Sequence, residues 1–281
     1  MPEVDAALTS LVGCGGLLVG AVLDPVSQRL AERSRVDEEA RRRESGATSD
    51  DRPGDVPGDG PGDGPGDPAA PGPPSGPPDE KQPALRHLVP AGRSVPRTVA
   101  AAVLTGALWA GAAARFGGHV ALGAFLACFA VLAAVALTDL STRLVPRRLV
   151  YPGGALMVAF FVAAAPVDHT AGHLPGAGIA GAAAFSAFFA VWWFVPRGMG
   201  FGDVRLAGFI GIATGWLSLL HAYVAFLAGF VAGLAFGVAS IAASGGGRRT
   251  RIPFAPALAL GAVIGVFWGG AIARAVFGPA V

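Results

Sequence analysis

The stretch AVALTDLSTRLVPRRLVYPG, residues 134–153, contains the end of one apolar run, a single carboxylate, three arginines and the start of the next apolar run. Followed outward, the first run reaches back to about residue 119 and the second forward to about residue 166. Each approaches the roughly 17–25 residues that a helix needs to cross a hydrocarbon core. Lipid offers no partner to free backbone groups, so helices are the element such runs form. Asp139, Arg143, Arg147 and Arg148 are confined to the joint. The stretch therefore reads as two membrane spans meeting at a polar hairpin.

The same pattern repeats along the chain. Apolar segments are predicted at about 7–27, 98–115, 119–137, 149–166, 174–195, 204–220, 221–243 and 254–277. The joint between the sixth and seventh is only a tight polar turn in WLSLLHAYVA. The 281 residues have a mean hydropathy of +0.55 and only 14% charged residues, against about 25% in a soluble domain. From Arg97 to Val281 the acids are Asp139, Asp168 and Asp203, with no glutamate. The expected fold is all-α, a polytopic membrane helical bundle of about eight transmembrane helices. The first run lacks a basic leader and is expected to be a retained span, not a cleaved signal peptide.

Basic residues orient the bundle. With the N-terminus outside, the loops 28–97, 138–148, 196–203 and 244–253 face the cytoplasm and carry most of the arginines, among them Arg143, Arg147, Arg148, Arg197, Arg248, Arg249 and Arg251. Arg115 and Arg274 lie on the other side. This is the bias expected of cytoplasmic loops. It puts Asp139 and Asp203 at cytoplasmic ends of spans, with Asp139 just past the end of the third. Asp168 falls on the outer side with His169 and His173, in what reads as a wet loop.

Other classes are excluded or weakened. The arginines form no stripe with aromatics between them, which gives nucleic-acid binding little support. Cys14 and Cys128 sit in apolar segments and are expected to be small buried residues without metal. Tryptophans near span ends, including Trp216 and Trp268, suit interfacial anchoring. Residues 45–80 are dominated by Gly, Pro and Asp in a PGDG pattern of period four, too polar to order itself and not a collagen repeat.

Two carboxylates at one depth raise a chemical possibility. If they are close, both cannot easily ionise, and the pair shares a proton. One could then take a proton from water while the other polarises a scissile carbonyl. Each could equally be a helix-end residue facing water and headgroups, and Asp203 near a helix N-terminus is favoured there in any case. Gly198, Gly200 and Gly202 precede Asp203. Such glycines can adopt positive φ or admit a close backbone. The loop lacks the GK[ST] of a phosphate loop and the final glycine of a dinucleotide fingerprint.

The stretch GMGFGDVRLAGFIGIATGW, residues 198–216, resembles the glycine–aspartate loop of prepilin peptidases, the type IV leader peptidases, whose pattern is approximately GxGxGDxKLxxxxGxxxG. Asp203 falls on a catalytic aspartate of that pattern. Gly198, Gly200, Gly202, Gly211 and Gly215 fall on its glycines. DLSTRLVP, residues 139–146, resembles the segment of the second catalytic aspartate, with Asp139 as that residue and Pro146 as its proline. RIPFAPALALGAVIG from Arg251 resembles the C-terminal segment, with Ala255 where glycine is usual. The first span, GLLVGAVLDPVSQRL from Gly16, resembles that family's first span, with Ala21 and Asp24 replacing a serine and an asparagine. Arg205 stands where lysine is commonest, and Arg147 replaces an asparagine after the proline.

The resemblance implies a membrane aspartyl endopeptidase. Asp139 and Asp203 would be catalytic, with Gly198, Gly200, Gly202, Arg205 and Pro146 contacting substrate, and with no metal or cofactor. It implies a bacterial inner-membrane location with the active site at the cytoplasmic face. The substrate would be a prepilin or pseudopilin-like protein with a basic leader ending in glycine and then a hydrophobic helix. Pilus assembly or secretion machinery would be partners, besides the lipid bilayer and without nucleic acid. Long members carry two CxxC pairs after the first span, but this chain has no cysteine there. That excludes four-cysteine zinc binding at that position and puts the second activity, N-methylation, in doubt. The expected organisation is a first transmembrane helix in residues 1–30, a largely disordered cytoplasmic linker in 31–96 and a seven-helix catalytic membrane domain in 97–281. The rival readings are an ion-coupled small transporter and a non-catalytic scaffold of a pilus or secretion system.

Overall fold

A computed structural model describes residues 6–24, 95–142, 147–195, 199–243 and 254–278, with single positions 26, 29 and 36. The described residues form α1 (Ala6–Asp24), α2 (Val95–Phe116), α3 (Ala121–Thr142), α4 (Arg147–Val167), α5 (His173–Phe194), α6 (Phe201–Gly215), α7 (Leu219–Ala243) and α8 (Ala255–Phe277). No strand occurs among them. All but α6 are long and apolar enough to cross a membrane, so the chain is a multi-pass membrane protein of all-α class. The described residues of Met1–Ser34 and Val95–Val281 make one compact unit. The expected linker in 31–96 falls almost wholly outside the described residues.

Two boundaries differ from the sequence reading, and both matter for the site. The polar residues Thr138 to Thr142 read as loop, yet they continue α3. Thr138 bonds its hydroxyl to the Ala134 carbonyl one turn back, 2.8 Å being the matching distance for Thr105 and 2.7 Å for Thr138 itself, so neither hydroxyl is stranded in the bundle. Asp139 is therefore inside the helix, not past its end. The sixth segment is shorter than predicted. α6 has 15 residues, about 22 Å of helix, against a core of about 30 Å. Ten of those residues, from Val204 to Gly215, are buried. A helix apolar on every side belongs inside a bundle, and α6 lies among its neighbours instead of facing lipid along its length.

Small residues set the register of antiparallel neighbours. Along α1 and α2, Gly16 faces Gly106 and Gly20 faces Ala102. Along α5 and α6, Gly176 faces Gly215, Gly181 faces Gly208 and Ile212, and Phe185 faces Gly208. Along α7 and α8, His221 faces Gly269, Ala225 faces Gly265 and Gly229 faces Gly261. Backbones approach this closely only without side chains between them. A methyl built on Gly211 would lie 2.6 Å from the Ala180 carbonyl oxygen of α5. We therefore expect Gly211→Val to cost about 1–3 kcal/mol through overpacking, read as a lower thermal midpoint in detergent. An equal midpoint would show that α6 does not rely on this approach.

Among the described spans α3 is the most enclosed, with 67% of its most apolar stretch buried. Its first turn is held from the end of α4. The Asp168 carboxylate accepts the N–H groups of Val120 (3.2 Å) and Ala121 (3.0 Å), and His119 lies 3.6 Å away. Burial opposes its charge, but those two amides and His119 hold the carboxyl below its usual range. The depressed pKa means that this contribution is present above the unfolded value of about 3.9 and is lost as pH falls through the folded value. Asp168→Asn should lower the thermal midpoint at pH 7, and the gap from the unmodified protein should shrink below pH of about 4. A gap that is the same at both pH values would remove the charge from the account.

Three side chains depart from their expected surroundings. Trp216 is 3% exposed and stacks on Phe161 at 4.3 Å, so it is core, not an interfacial anchor. His173 opens α5 and its Nδ1 lies 2.6 Å from the Trp216 carbonyl, which ties α5 to the end of α6. Cys14 is exposed on α1, whereas Cys128 is buried as expected. At the end of α1, Asp24 is 2% exposed and accepts the Thr98 hydroxyl at 2.9 Å, which links α1 to the first turn of α2.

Candidate active site

Three helix ends converge at one end of the bundle: the last turn of α3, the first turn of α6 and the first turn of α8. Asp139 on α3 is 5% exposed. Its Oδ2 accepts the backbone N–H of Ala255 at 3.2 Å. Ala255 is the first residue of α8, and proline follows it. The first N–H groups of a helix have no partner inside the helix, and Pro256 has no N–H to offer. The Ala255 N–H is thus a free donor at the positive end of a 23-residue helix. It meets a carboxylate that is otherwise enclosed.

Asp203 lies in the first turn of α6, half-buried, with its N–H donated to the Gly200 carbonyl at 3.0 Å. It interacts electrostatically with Asp139. Burial first, and then the Asp139 charge, push its carboxyl up to about 6, against a smaller opposing hydrogen bond from the Gly200 backbone. The two aspartates thus act on one another while differing in surroundings. Asp139 has a helix N-terminus as its donor. Asp203 has a dry wall and a like charge.

The glycines before Asp203 do not use left-handed backbone. Gly200 is extended, with φ −80° and ψ 144°, and Gly202 is inside the first turn of α6. A methyl on Gly200 would lie 3.7 Å from Asp203 Oδ2. That is ordinary contact, so the missing side chain leaves open the approach to the carboxylate. Gly198 and Pro146 lie outside the described residues. Gly211 and Gly215 seat α6 against α5 and do not reach this end.

Arg205 follows Asp203 by two residues. Its guanidinium carbon sits 4.5 Å from the centre of the Phe201 ring and 5.5 Å from that of Tyr151. Its Nε is buried with no hydrogen-bond partner among the described residues. The Phe201–Arg205 pair is spaced i, i+4, so it could have been read from the sequence as one helix face. The Ala255 N–H could not. A main-chain donor leaves no signature beyond the helix start that Pro256 suggests.

Of the sequence-predicted residues, Asp139, Asp203, Gly200, Gly202 and Arg205 are all at this end of α3 and α6. Residues 125–238, which include these five, match the family model described as type IV leader peptidase family. The prepilin leader peptidase/N-methyltransferase of Bacillus subtilis (strain 168) is 32% identical over 177 residues, a match covering 62% of this chain and 66% of that protein. The chain thus spans just under two thirds of that relative's length. No solved structure matches.

Proposed function

We propose that the chain, whose residues 125–238 match the type IV leader peptidase family model, is a membrane aspartyl endopeptidase that removes the leader of prepilin-like proteins. The observation that carries this reading is the coupled pair: the Asp139 charge acts on Asp203, whose carboxyl is raised to about 6. Two carboxylates that share a proton can divide the acid and base roles of peptide hydrolysis.

The surroundings of the pair support one assignment. Asp139, which accepts the Ala255 N–H, holds the negative charge and takes a proton from water. The hydroxide so formed adds to the scissile carbonyl carbon. Asp203 gives its proton to the carbonyl oxygen, which would otherwise develop a full negative charge beside a carboxylate. As the tetrahedral species collapses, the C–N bond breaks, the proton held by Asp139 passes to the leaving nitrogen, and Asp203 takes back a proton from one of the two hydroxyls, which restores the starting pair. The pair needs no metal for these transfers.

The substrate class is a protein with a basic leader ending in glycine, followed by an apolar helix. The leader lies at the cytoplasmic face of a bacterial inner membrane, where the arginine-rich loops face. Pilus assembly or secretion machinery would receive the product. The 31–96 segment is a linker in this reading, and 97–281 is the catalytic domain with α1 before it. The pair sits at one end of its helices, which disfavours a transporter, whose coupling site belongs near the midplane.

The test is leader removal from a prepilin-like protein in membranes containing this chain alone. A shortened product whose new N-terminus follows the glycine is expected. Intact substrate after prolonged incubation would leave the scaffold reading in its place.

A further inference from the structure

One groove on the bundle is not used by the chemistry above. It has a volume of about 920 Å³ and is lined by α4, α5 and α6, with Arg205 its sole charged residue. The α4 wall presents Tyr151, Ala155, Val158, Ala159 and Val162. Phe185 stands on the α5 side, and Gly208, Phe209 and Ile212 of α6 form the floor. Tyr151, Val158, Val162 and Phe185 are 58%, 39%, 55% and 39% exposed, so no other described residue covers them.

Its direction follows from the helix register. Arg205 and Tyr151 are near the starts of α6 and α4, at the end that holds Asp203. Val162 and Ala163 are near the far end of α4. From Val150 to Ala163 the wall is about 20 Å long, at 1.5 Å per residue. The groove is thus a trough parallel to the spans, apolar along its length, with one cation at the end level with the aspartate pair. Arg205 follows Asp203 by two residues, about 3 Å along α6 and on the other side of that helix.

That cation is only partly compensated. Aromatic faces attract a guanidinium, but its Nε has no acceptor, and a charge in such surroundings is costly until it is paired. A carboxylate arriving along the groove would complete it in the geometry that arginine favours. The small residues Gly154, Ala155, Ala159 and Gly208 leave room for a helix to come close, as small residues do between helices in lipid.

We propose that this groove seats the apolar helix of the substrate, and that Arg205 pairs with an acidic side chain in the first turns of that helix. This rests on the peptidase reading and extends it: the groove sets the register that brings the leader junction to Asp203. The acid belongs near the cut because Arg205 is so close to Asp203 along α6.

The test uses synthetic segments in nanodiscs. Each has a basic leader ending in glycine and a 20-residue Leu/Ala helix that carries either glutamate or glutamine in its first two turns. Occupancy is read first, in an Asp203→Asn background with Cys14→Ser. Cysteine at position 158 should crosslink to a cysteine midway along the segment's helix. Cysteine at position 227, exposed on α7 away from the groove, should not. No crosslink at 158, or equal crosslinking at both, overturns the seat and leaves the groove to lipid.

Cleavage is read second. Ala159→Trp should raise KM about ten-fold with kcat kept. Unchanged KM counts against the seat. Arg205→Gln should lower kcat/KM about ten-fold for the glutamate segment and little for the glutamine one. Equal losses on both would overturn the pairing. If the unmodified protein cuts neither segment, the peptidase reading fails, and the crosslink still decides whether the groove holds a helix.

Discussion

Asp203→Asn is expected to lower leader cleavage by a factor on the order of 10⁴, and Asp139→Asn by a similar factor, because each half-reaction needs the partner group. The double variant should be little worse than either single one, since groups that act as a unit do not add. Loss of fold is the obvious rival explanation, and the surroundings of Asp203 separate the two. Its carboxyl is raised by burial and by the Asp139 charge, to about 6. A raised folded pKa contributes stability that is full below the unfolded value and is lost as pH rises through the folded one. At pH 8 Asp203 therefore destabilises the fold. An amide there carries no charge, and Asp203→Asn should stabilise the protein by about 2–3 kcal/mol at pH 8, from 1.36 kcal/mol per pH unit. The expected outcome is an inactive protein with a higher thermal midpoint. An Asp203→Asn protein that retains full cleavage would end the two-aspartate mechanism.

The second large effect concerns pH. If Asp203 must hold a proton in order to donate it, kcat/KM falls as pH rises through its pKa in the free enzyme. With that value about 6, the rate should drop about ten-fold per unit above it, so that roughly 100-fold is lost by pH 8. Substrate that excludes water raises the carboxyl further, so the limb in kcat should lie at higher pH than the limb in kcat/KM. The measurement is initial cleavage rate from pH 4.5 to 8.5 in one detergent or nanodisc preparation. A flat profile to pH 8 would mean that Asp203 is not the proton donor and that the roles of the two aspartates are reversed or shared.

The bundle was legible in the sequence because lipid permits few alternatives: long apolar runs must be helices, and arginines mark one side. The ends of helices were less legible. Residues 138–142 look like loop by composition, yet enclosure by neighbouring helices lets Thr138 bond within α3 and Asp139 bond to α8. α6 looks like a full span because its apolar run merges with that of α7. Its true limit is the turn at Trp216 to Ser218, where the Leu217 and Ser218 N–H groups both meet the Thr214 carbonyl. The aspartate pair came from the scarcity of acids and a family motif. The donor to Asp139 is main chain, which no residue type announces. Asp168, set aside with two histidines in a wet loop, instead caps a buried helix.

That cap bears on where the chemistry happens. α3 is held at its start by the Asp168 carboxylate on Val120 and Ala121, and in its last turn by Asp139 on Ala255. From Ala121 to Asp139 is about 27 Å of helix at 1.5 Å per residue, close to the depth of a hydrocarbon core. A rod fixed at both ends works as a gauge. It measures the Asp139 carboxylate off from the opposite face of the membrane, so in the proposed peptidase bilayer thickness would decide how far Asp139 stands from the water that it activates.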